Sequence, residues 1–282
     1  MKIKVFVVCA VIFLFCDIVN AGINDGLVAY YPLNGNANDE SGNGHNGTVN
    51  GAILTTDRFG NTNSAYSFDG VQDHVIRVPS NNNLNFGKSD FSMSVWIKPN
   101  SSSNPQIMGK DNHAGTAATT GYLLRYLDGK GVSFGVRDPI SGTFVDSPHP
   151  LGYEWTHVVA FRESNVLKLY INGVFDSSMP ESSAVDVSNT ADFKIGRFDE
   201  WYQPSFRGNI DDVRIYNRAL SASEIQQLYQ GQVTCSTGVV KFTAGTPAKA
   251  ADVNANFDAL NCQIQALKAI VCKNDPTASV CQ

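Results

Sequence analysis

Hydrophobic and polar residues alternate with a period of two in many short runs between residues 22 and 231. In Phe91–Ile97, the odd positions are Phe, Met, Val and Ile, and the even positions are Ser, Ser and Trp. Runs of this kind predict β-strands with one buried face. The others are Leu27–Tyr31, Tyr66–Phe68, His74–Val78, a run ending at Met108, Tyr122–Leu127, Val132–Val136, Val158–Phe161, Leu167–Ile171, Phe193–Phe198 and Ile210–Tyr216.

The connections between these runs are turns. Leu167–Ile171 leads into Asn172-Gly173, a pair that favours a type I′ hairpin because both positions accept positive φ. A single short helix follows the last strand: Ser221 and Glu224 form a capping-box pattern, and apolar residues continue at helical spacing. The sequence therefore predicts an all-β fold, an antiparallel jelly-roll sandwich with a short closing helix.

The amino-terminal segment has the pattern of a signal peptide. Lys2 and Lys4 precede the apolar stretch Val5–Cys16, and Ala21 ends the segment with a small side chain. The apolar stretch is too short to span a bilayer, and no later stretch reaches the roughly 18 apolar residues that spanning requires. We expect cleavage after Ala21 and a secreted, extracellular protein, or a periplasmic one in a bacterium. The predicted organisation is a signal peptide at 1–21, a β domain at 22–231 and a tail at 232–282.

The tail carries a helical pattern and four cysteines. Its apolar residues are spaced three and four apart from Ala250 to Val271, which predicts an α-helix with a coiled-coil seam and self-association as a homo-oligomer. The alternative is a helix docked on the sandwich. Export favours disulfide bonds, and of the three pairings that four cysteines allow, spacing favours 235 with 262 and 272 with 281. The residues concerned are Cys235, Cys262, Cys272 and Cys281.

The net charge and the motifs of the sequence argue against two classes of function. With 21 Lys and Arg against 26 Asp and Glu, the net charge is -5, which argues against a nucleic-acid partner. No strand carries carboxylates at alternate positions, where two could flank one glycosidic bond, and neither a G-x-S-x-G nor an H-E-x-x-H motif occurs. The position of His157 at the start of a strand favours a histidine held by a hydrogen bond over a metal ligand. We expect that the protein is not an enzyme.

Five segments in order resemble the laminin-G-like branch of the concanavalin A-like jelly rolls. They cover about 205 residues, and the resemblance implies the same sandwich fold. It does not by itself fix a function, because that fold carries lectins, adhesion modules and glycosidases. The segments are Gly26–Gly47, Tyr66–Val78, Phe91–Pro99, Trp155–Phe175 and Phe206–Tyr229.

A candidate calcium site lies in the first segment. Asp39, Ser41 and Asn43 place oxygen-bearing side chains at alternate positions before Gly44, as in the first half of a calcium loop. The resemblance implies that Asp211, from the last long strand, completes the site, with Asp212 on the opposite face of that strand. The prediction is one structural Ca²⁺ ion. The alternative is a solvated Asx-rich turn without a metal.

A candidate ligand site combines an aromatic platform with planar polar groups, which suits the apolar face and hydroxyl rim of a sugar. Trp201 and Tyr202 form the platform, and Lys110, Asn112 and Arg125 supply polar contacts. The alternative is that the aromatic pair only covers the edge of the sandwich. The sequence thus predicts a non-catalytic, lectin-like module for glycans or cell-surface ligands. The other hypotheses are a protein-binding matrix protein and a divergent glycoside hydrolase.

Overall fold

The computed structural model describes residues 22–71, 73–100, 105–112, 119–127, 129–197 and 205–231. These residues form an antiparallel β-sandwich of an eight-stranded and a seven-stranded sheet, which confirms the predicted all-β jelly roll. The elements are β1 (Leu27–Tyr31), β2 (Thr48–Asn50), β3 (Ile53–Thr55), β4 (Ala65–Asp69), β5 (Val75–Val78), a 3₁₀ helix (Asn82–Leu84), β6 (Phe91–Pro99), β7 (Gln106–Asp111), β8 (Gly121–Leu127), β9 (Gly131–Arg137), β10 (Gly142–Asp146), β11 (Thr156–Glu163), β12 (Val166–Ile171), β13 (Val174–Pro180), β14 (Phe193–Ile195), β15 (Arg207–Tyr216) and α1 (Ala222–Gln230).

The two sheets draw on strands from the whole described chain. Sheet A has the order β13-β12-β11-β6-β15-β4-β3, with β1 also paired to β15, and sheet B has the order β10-β9-β8-β7-β14-β5-β2. Neighbours far apart in sequence, such as β6 and β15, are hydrogen-bonded, as expected for a jelly roll.

The main core lies between the sheets and follows from the alternation along each strand. On β6, Phe91, Met93, Val95 and Ile97 are fully buried in that core. Trp96, between them in sequence, faces the other side of sheet A, where β11 and β15 flank it. This outer side of sheet A also carries buried polar groups, such as His157 and Asp211, which are costly to bury without partners.

The turn between β12 and β13 and the start of helix α1 form where the sequence predicts them. Asn172 and Gly173 have φ values of 50° and 78°, as the predicted type I′ turn requires. The capping box is present, with Ser221 and Glu224 bonded in both directions. Helix α1 then packs on the outer side of sheet A, where its buried apolar residues join a second, smaller hydrophobic cluster. That cluster consists of Ile23, Val159, Phe161, Tyr216, Leu220, Ile225 and Leu228.

Several predictions fall outside the described residues: the signal peptide, the helical tail with its four cysteines, and the aromatic pair Trp201 and Tyr202. In the part of the chain that the structure describes, no helix has the length and apolar character needed to cross a membrane.

Candidate functional site

An open cleft of about 620 Å³ lies on the outer side of sheet A, beside α1. Its floor comes from β1 and β15: because Val213 and Ile215 point into the core, Asp212 and Arg214 point outward. Its walls come from the loop after β1, the loop between β3 and β4, and the end of α1. The residues lining this outer cleft are Asn24, Leu27, Tyr30, Glu40, Ser41, Arg58, Phe59, Asp212, Arg214, Leu228 and Gly231.

The loop between β3 and β4 presents two of these residues. Asp57 holds the loop by accepting the backbone N–H groups of Phe59 and Asn61 at 2.8 Å, an Asx-type turn. This turn fixes Arg58 and leaves the ring of Phe59 69% exposed at the cleft wall. Local side-chain chemistry, rather than a strand ladder, therefore positions both groups.

Arg58 is held between two aromatic rings and two carboxylates. The carbon at the centre of its guanidinium lies 4.3 Å from the ring centroid of Phe59 and 4.6 Å from that of Trp96. Its two terminal nitrogens lie 2.6 Å from Asp211 and 2.5 Å from Asp212. A guanidinium suits this position because its faces stack on rings while its edge binds carboxylates.

The two aspartates occupy the same side of β15, which corrects the predicted placement on opposite faces. Asp212 has a φ of 50°, and the register with β6 shifts between Asp211 and Arg214. This bulge interrupts the alternation, so both carboxylates reach Arg58. Burial and the neighbouring Asp212 raise the pKa of Asp211 to about 7, although Arg58 opposes the shift.

Tyr30 and Arg214 complete the floor of the outer cleft. The hydroxyl of Tyr30 donates to Asp212 at 2.9 Å, and burial raises its pKa well above the usual range. The guanidinium of Arg214 stacks on the Tyr30 ring at 4.0 Å and lies 3.4 Å from Asp212. The aromatic ring, the guanidinium and the carboxylate of the floor therefore hold one another in fixed positions, with their polar atoms at the edges of planar groups.

The predicted calcium loop is fastened to β1 by its own side chains. Asp39 accepts three backbone N–H groups, from Tyr30, Ser41 and His45, each at 2.9 Å. Its partial burial opposes ionisation, but these hydrogen bonds outweigh it and lower the pKa of Asp39. The Ser41 hydroxyl donates to the Val28 carbonyl at 3.1 Å.

The remaining predicted calcium ligands are also engaged. The amide nitrogen of Asn43 donates to the carbonyls of Leu27 and Val28, and Asp211 is paired with Arg58. Among the described residues, no group of three or more His, Cys, Asp or Glu side chains could hold a metal ion. In this arrangement the donor set does not assemble as a ligand shell, and the calcium ion stays a prediction.

Of the predicted ligand-binding residues, Lys110 has a structural role instead. It is 0% exposed, and its ammonium donates to Asn85 and Asn189 at 2.6 to 3.2 Å. Burial lowers the pKa of Lys110 to about 8. Because its three donors bind groups of the protein, we remove Lys110 from the candidate ligand site.

Arg125 lies on β8 of sheet B and Asn112 directly follows β7 of the same sheet, and neither lines the outer cleft on sheet A. Asn112 is exposed, and its side-chain oxygen accepts the backbone N–H of Thr120 at 2.9 Å. Arg125 stacks on Phe144 at 4.8 Å, and burial lowers its pKa. Because Trp201 and Tyr202 lie outside the described residues, the role of this sheet B group stays a prediction.

Two arrangements have the composition of a catalytic site but not its geometry. Ser94 and His157 are hydrogen-bonded at 2.9 Å, which confirms His157 as a bonded strand histidine. Both are buried, however, and in the described part of the chain Nδ1 of His157 has no partner to orient it as a base. Asp211 and Asp212 flank a guanidinium rather than an open space for a glycosidic bond, and Asp211 is only 4% exposed.

Sequence reasoning missed the outer cleft. Arg58 and Phe59 sit in a short loop, and no periodic pattern marks them. The outward position of Arg214 could be predicted, because this residue lies between the core residues Val213 and Ile215 on the last strand. The nearest usable signal was Asp57 before an Arg-Phe-Gly turn, which indicates an ordered loop but not its neighbours.

Comparison with known proteins supports the fold. A family model described as concanavalin A-like lectin/glucanases superfamily, laminin G type, matches residues 68–226. A zebrafish (Danio rerio) adhesion G-protein coupled receptor V1 is 26% identical over 157 residues, which is 50% of this chain and 2% of that protein. The chain therefore spans a very small part of the curated relative that it matches.

Three solved structures share the fold at low identity. The binding domain of Paraclostridial Mosquitocidal Protein 1 has a TM-score of 0.60 at 20% identity, over 76% of this chain and 54% of that one. Domain 4 of the arabinanase AbnA from Geobacillus stearothermophilus, in complex with arabinotriose, has a TM-score of 0.54 at 24% identity, over 72% and 98%. The ligand binding domain of botulinum neurotoxin serotype D, with N-acetylneuraminic acid, has a TM-score of 0.57 at 21% identity, over 75% and 52%.

The family model covers more than half of the chain, and its range includes the central strands of both sheets. The chain belongs to the laminin G-like family of the concanavalin A-like lectin/glucanase superfamily.

Proposed function

We propose that this protein is a secreted, non-catalytic recognition module that binds glycans. The observation that carries the proposal is the outer cleft, where the exposed ring of Phe59 stands beside the ordered edges of Asp212 and Arg214. A sugar ring has an apolar face that packs on an aromatic ring and hydroxyls that bind planar polar groups. The cleft volume of about 620 Å³ falls within the range of small-molecule sites.

The solved structures of the same fold add support. Two of them are binding domains, one of which is in complex with N-acetylneuraminic acid, and the third is an arabinanase domain in complex with arabinotriose. At these identities the likeness concerns the fold alone, so the ligand of this chain is argued from its own cleft. An extracellular location agrees with the predicted signal peptide.

The experiment is a glycan array probed with the mature protein and two matched variants. Phe59→Ala removes the exposed ring at the cleft, and Phe175→Ala removes a ring that is 51% exposed on β13. We expect Phe59→Ala to weaken glycan binding about 10- to 30-fold, as for loss of a binding hot spot, and Phe175→Ala to bind normally. Melting curves of both variants serve as the control that each one is folded. Absence of binding by the wild type to every glycan would refute the proposal.

The sheet B group is tested on the same array. The prediction places Trp201 and Tyr202 beside Asn112 and Arg125. If that group is the sugar site, Trp201→Ala and not Phe59→Ala will lose binding. The two variants therefore separate the predicted site from the outer cleft.

A protein-binding adhesive role is the second candidate. Three apolar side chains on the edge strand β13, Val174, Phe175 and Met179, are 63%, 51% and 44% exposed. Exposed apolar groups on an edge strand are typical of protein contacts. If this role is correct, the protein will bind no glycan on the array. Phe175→Ala will then reduce adhesion to matrix or cells.

We also propose a structural Ca²⁺ ion at the Asp39 loop, as a separate and independent hypothesis. Binding would require Ser41 and Asn43 to exchange their hydrogen bonds with β1 for the ion, and Asp211 to leave Arg58. Calcium should then raise the melting temperature by several degrees over the chelator-treated protein, and Asp39→Ala should abolish the rise. Identical melting curves with calcium and with chelator would remove the ion from the account.

A further inference from the structure

The charges of the outer cleft restrict the kind of glycan that fits it, and this inference rests on the proposed function. Both guanidinium groups of the cleft already have carboxylate partners. Arg58 is paired with Asp211 and Asp212, and Arg214 lies 3.4 Å from Asp212. The stacking of Arg58 on two rings further fixes its orientation.

Carboxylates outnumber guanidinium groups at this place. Glu40 is exposed at the wall of the cleft, opposite the floor formed by Asp212. Counting Asp211 behind Arg58, three acidic groups stand against the two arginines, Arg58 and Arg214. Even with Asp211 protonated, the cleft offers no excess of positive charge.

An anionic sugar would therefore meet unfavourable electrostatics. At Arg58, a sialic acid carboxylate or a sulfate would have to displace Asp211 or Asp212 from a close, largely buried pair, and at Arg214 it would lie beside the carboxylate of Asp212. Anywhere else in the cleft it would lie near Glu40 or Asp212, and like charges in contact weaken binding.

An uncharged sugar meets none of these costs. Its hydroxyls can donate to Glu40 and Asp212 and accept from Arg214 without disturbing an ion pair. Its apolar face can pack on Phe59, whose ring is 69% exposed. We propose that the outer cleft is specific for uncharged oligosaccharides and discriminates against sialylated and sulfated ones.

The test uses an array in which each neutral oligosaccharide is paired with its sialylated and its sulfated derivative, in buffer with chelator. Wild-type protein should bind the neutral member of a pair at least about tenfold more strongly. Glu40→Lys should narrow that ratio. Asp146→Lys makes the same change of charge on β10 of sheet B and should leave the ratio unchanged.

The outcomes separate the two proposals. Equal or stronger binding of sialylated or sulfated members by wild-type protein would overturn the charge argument while leaving the glycan-binding function intact. A ratio that Glu40→Lys and Asp146→Lys change equally would show that net charge, not the cleft, sets the preference, and would also overturn it. Failure to bind any member would refute both proposals.

Discussion

Two buried groups on the outer side of sheet A make opposite contributions to the pH dependence of stability. His157 is 1% exposed, and its ring centroid lies 5.1 Å from that of Trp96 and 6.1 Å from that of Tyr229. Burial, with the nearby positive charges of arginines, lowers its pKa to about 3. Asp211, on β15 and separated from β11 by β6, has a pKa raised to about 7 by burial and by the charge of Asp212.

The sign of each contribution follows from proton binding. An unfolded histidine has a pKa of about 6.5, so below that pH the unfolded chain binds a proton that folded His157 does not, and stability falls as pH falls. An unfolded aspartate has a pKa of about 3.9, so folded Asp211 keeps a proton that the unfolded chain loses. Its contribution is fully present below that pH and is lost as pH rises toward 7.

The two contributions have similar size in one window. Between pH 5 and pH 6, each changes the free energy of unfolding by about 1 kcal/mol, one upward and one downward with pH. They therefore nearly cancel in the wild-type protein, and replacing one group should reveal the slope of the other. His157→Phe keeps an aromatic ring, and Asp211→Asn keeps the shape of the side chain.

The assay is urea denaturation at pH 5.0, 5.5 and 6.0 in chelator, with the wild type, both single variants and the double variant. Relative to the wild type, His157→Phe should lose about 1 kcal/mol of stability as pH rises by one unit, and Asp211→Asn should gain as much. Other titrating groups add the same background to all four proteins. If His157→Phe has the wild-type slope, the reasoning about a buried neutral histidine is wrong.

Three further substitutions test packing and are measured by urea denaturation, with glycan binding alongside. Lys110→Met should cost about 1–3 kcal/mol, because acceptors such as Asn189 lose a buried donor, while binding is unchanged. Arg162→Met should cost about 3–5 kcal/mol, because the fully buried guanidinium donates to three backbone carbonyls. Gly196→Ala should destabilise strongly, because φ is 90° and the new Cβ would lie 2.2 Å from Phe68. Wild-type stability in any of them would contradict the contact named.

The interior strands of both sheets were predictable from sequence, and the strands at the ends of the two sheets were not. Each strand that the alternation missed lies at an end of a sheet: β3 and β13 in sheet A, β2 and β10 in sheet B. An edge strand is less buried, so its residues do not need to alternate in polarity; β13, for example, is mostly exposed. These segments become strands because they pair with a neighbouring strand, and a single sequence does not show that pairing.

The candidate site was less predictable for a related reason. Alternation placed Asp211 and Asp212 on opposite faces, but the bulge at Asp212 brings both to Arg58, which is more than 150 residues away in sequence. Lys110 has the composition of a surface contact and is buried because Asn85 and Asn189 reach it from distant segments. Both outcomes depend on long-range contacts that the local pattern does not contain.

The central claim is that a glycan binds in the outer cleft. The most direct measurement is the change in backbone amide chemical shifts of ¹⁵N-labelled protein on titration with the neutral oligosaccharide that binds most strongly on the array. We predict that the largest changes fall on residues of the cleft, including Tyr30, Phe59 and Arg214. Changes centred instead on Asn112 and Arg125 of sheet B, with the cleft unaffected, would contradict the account.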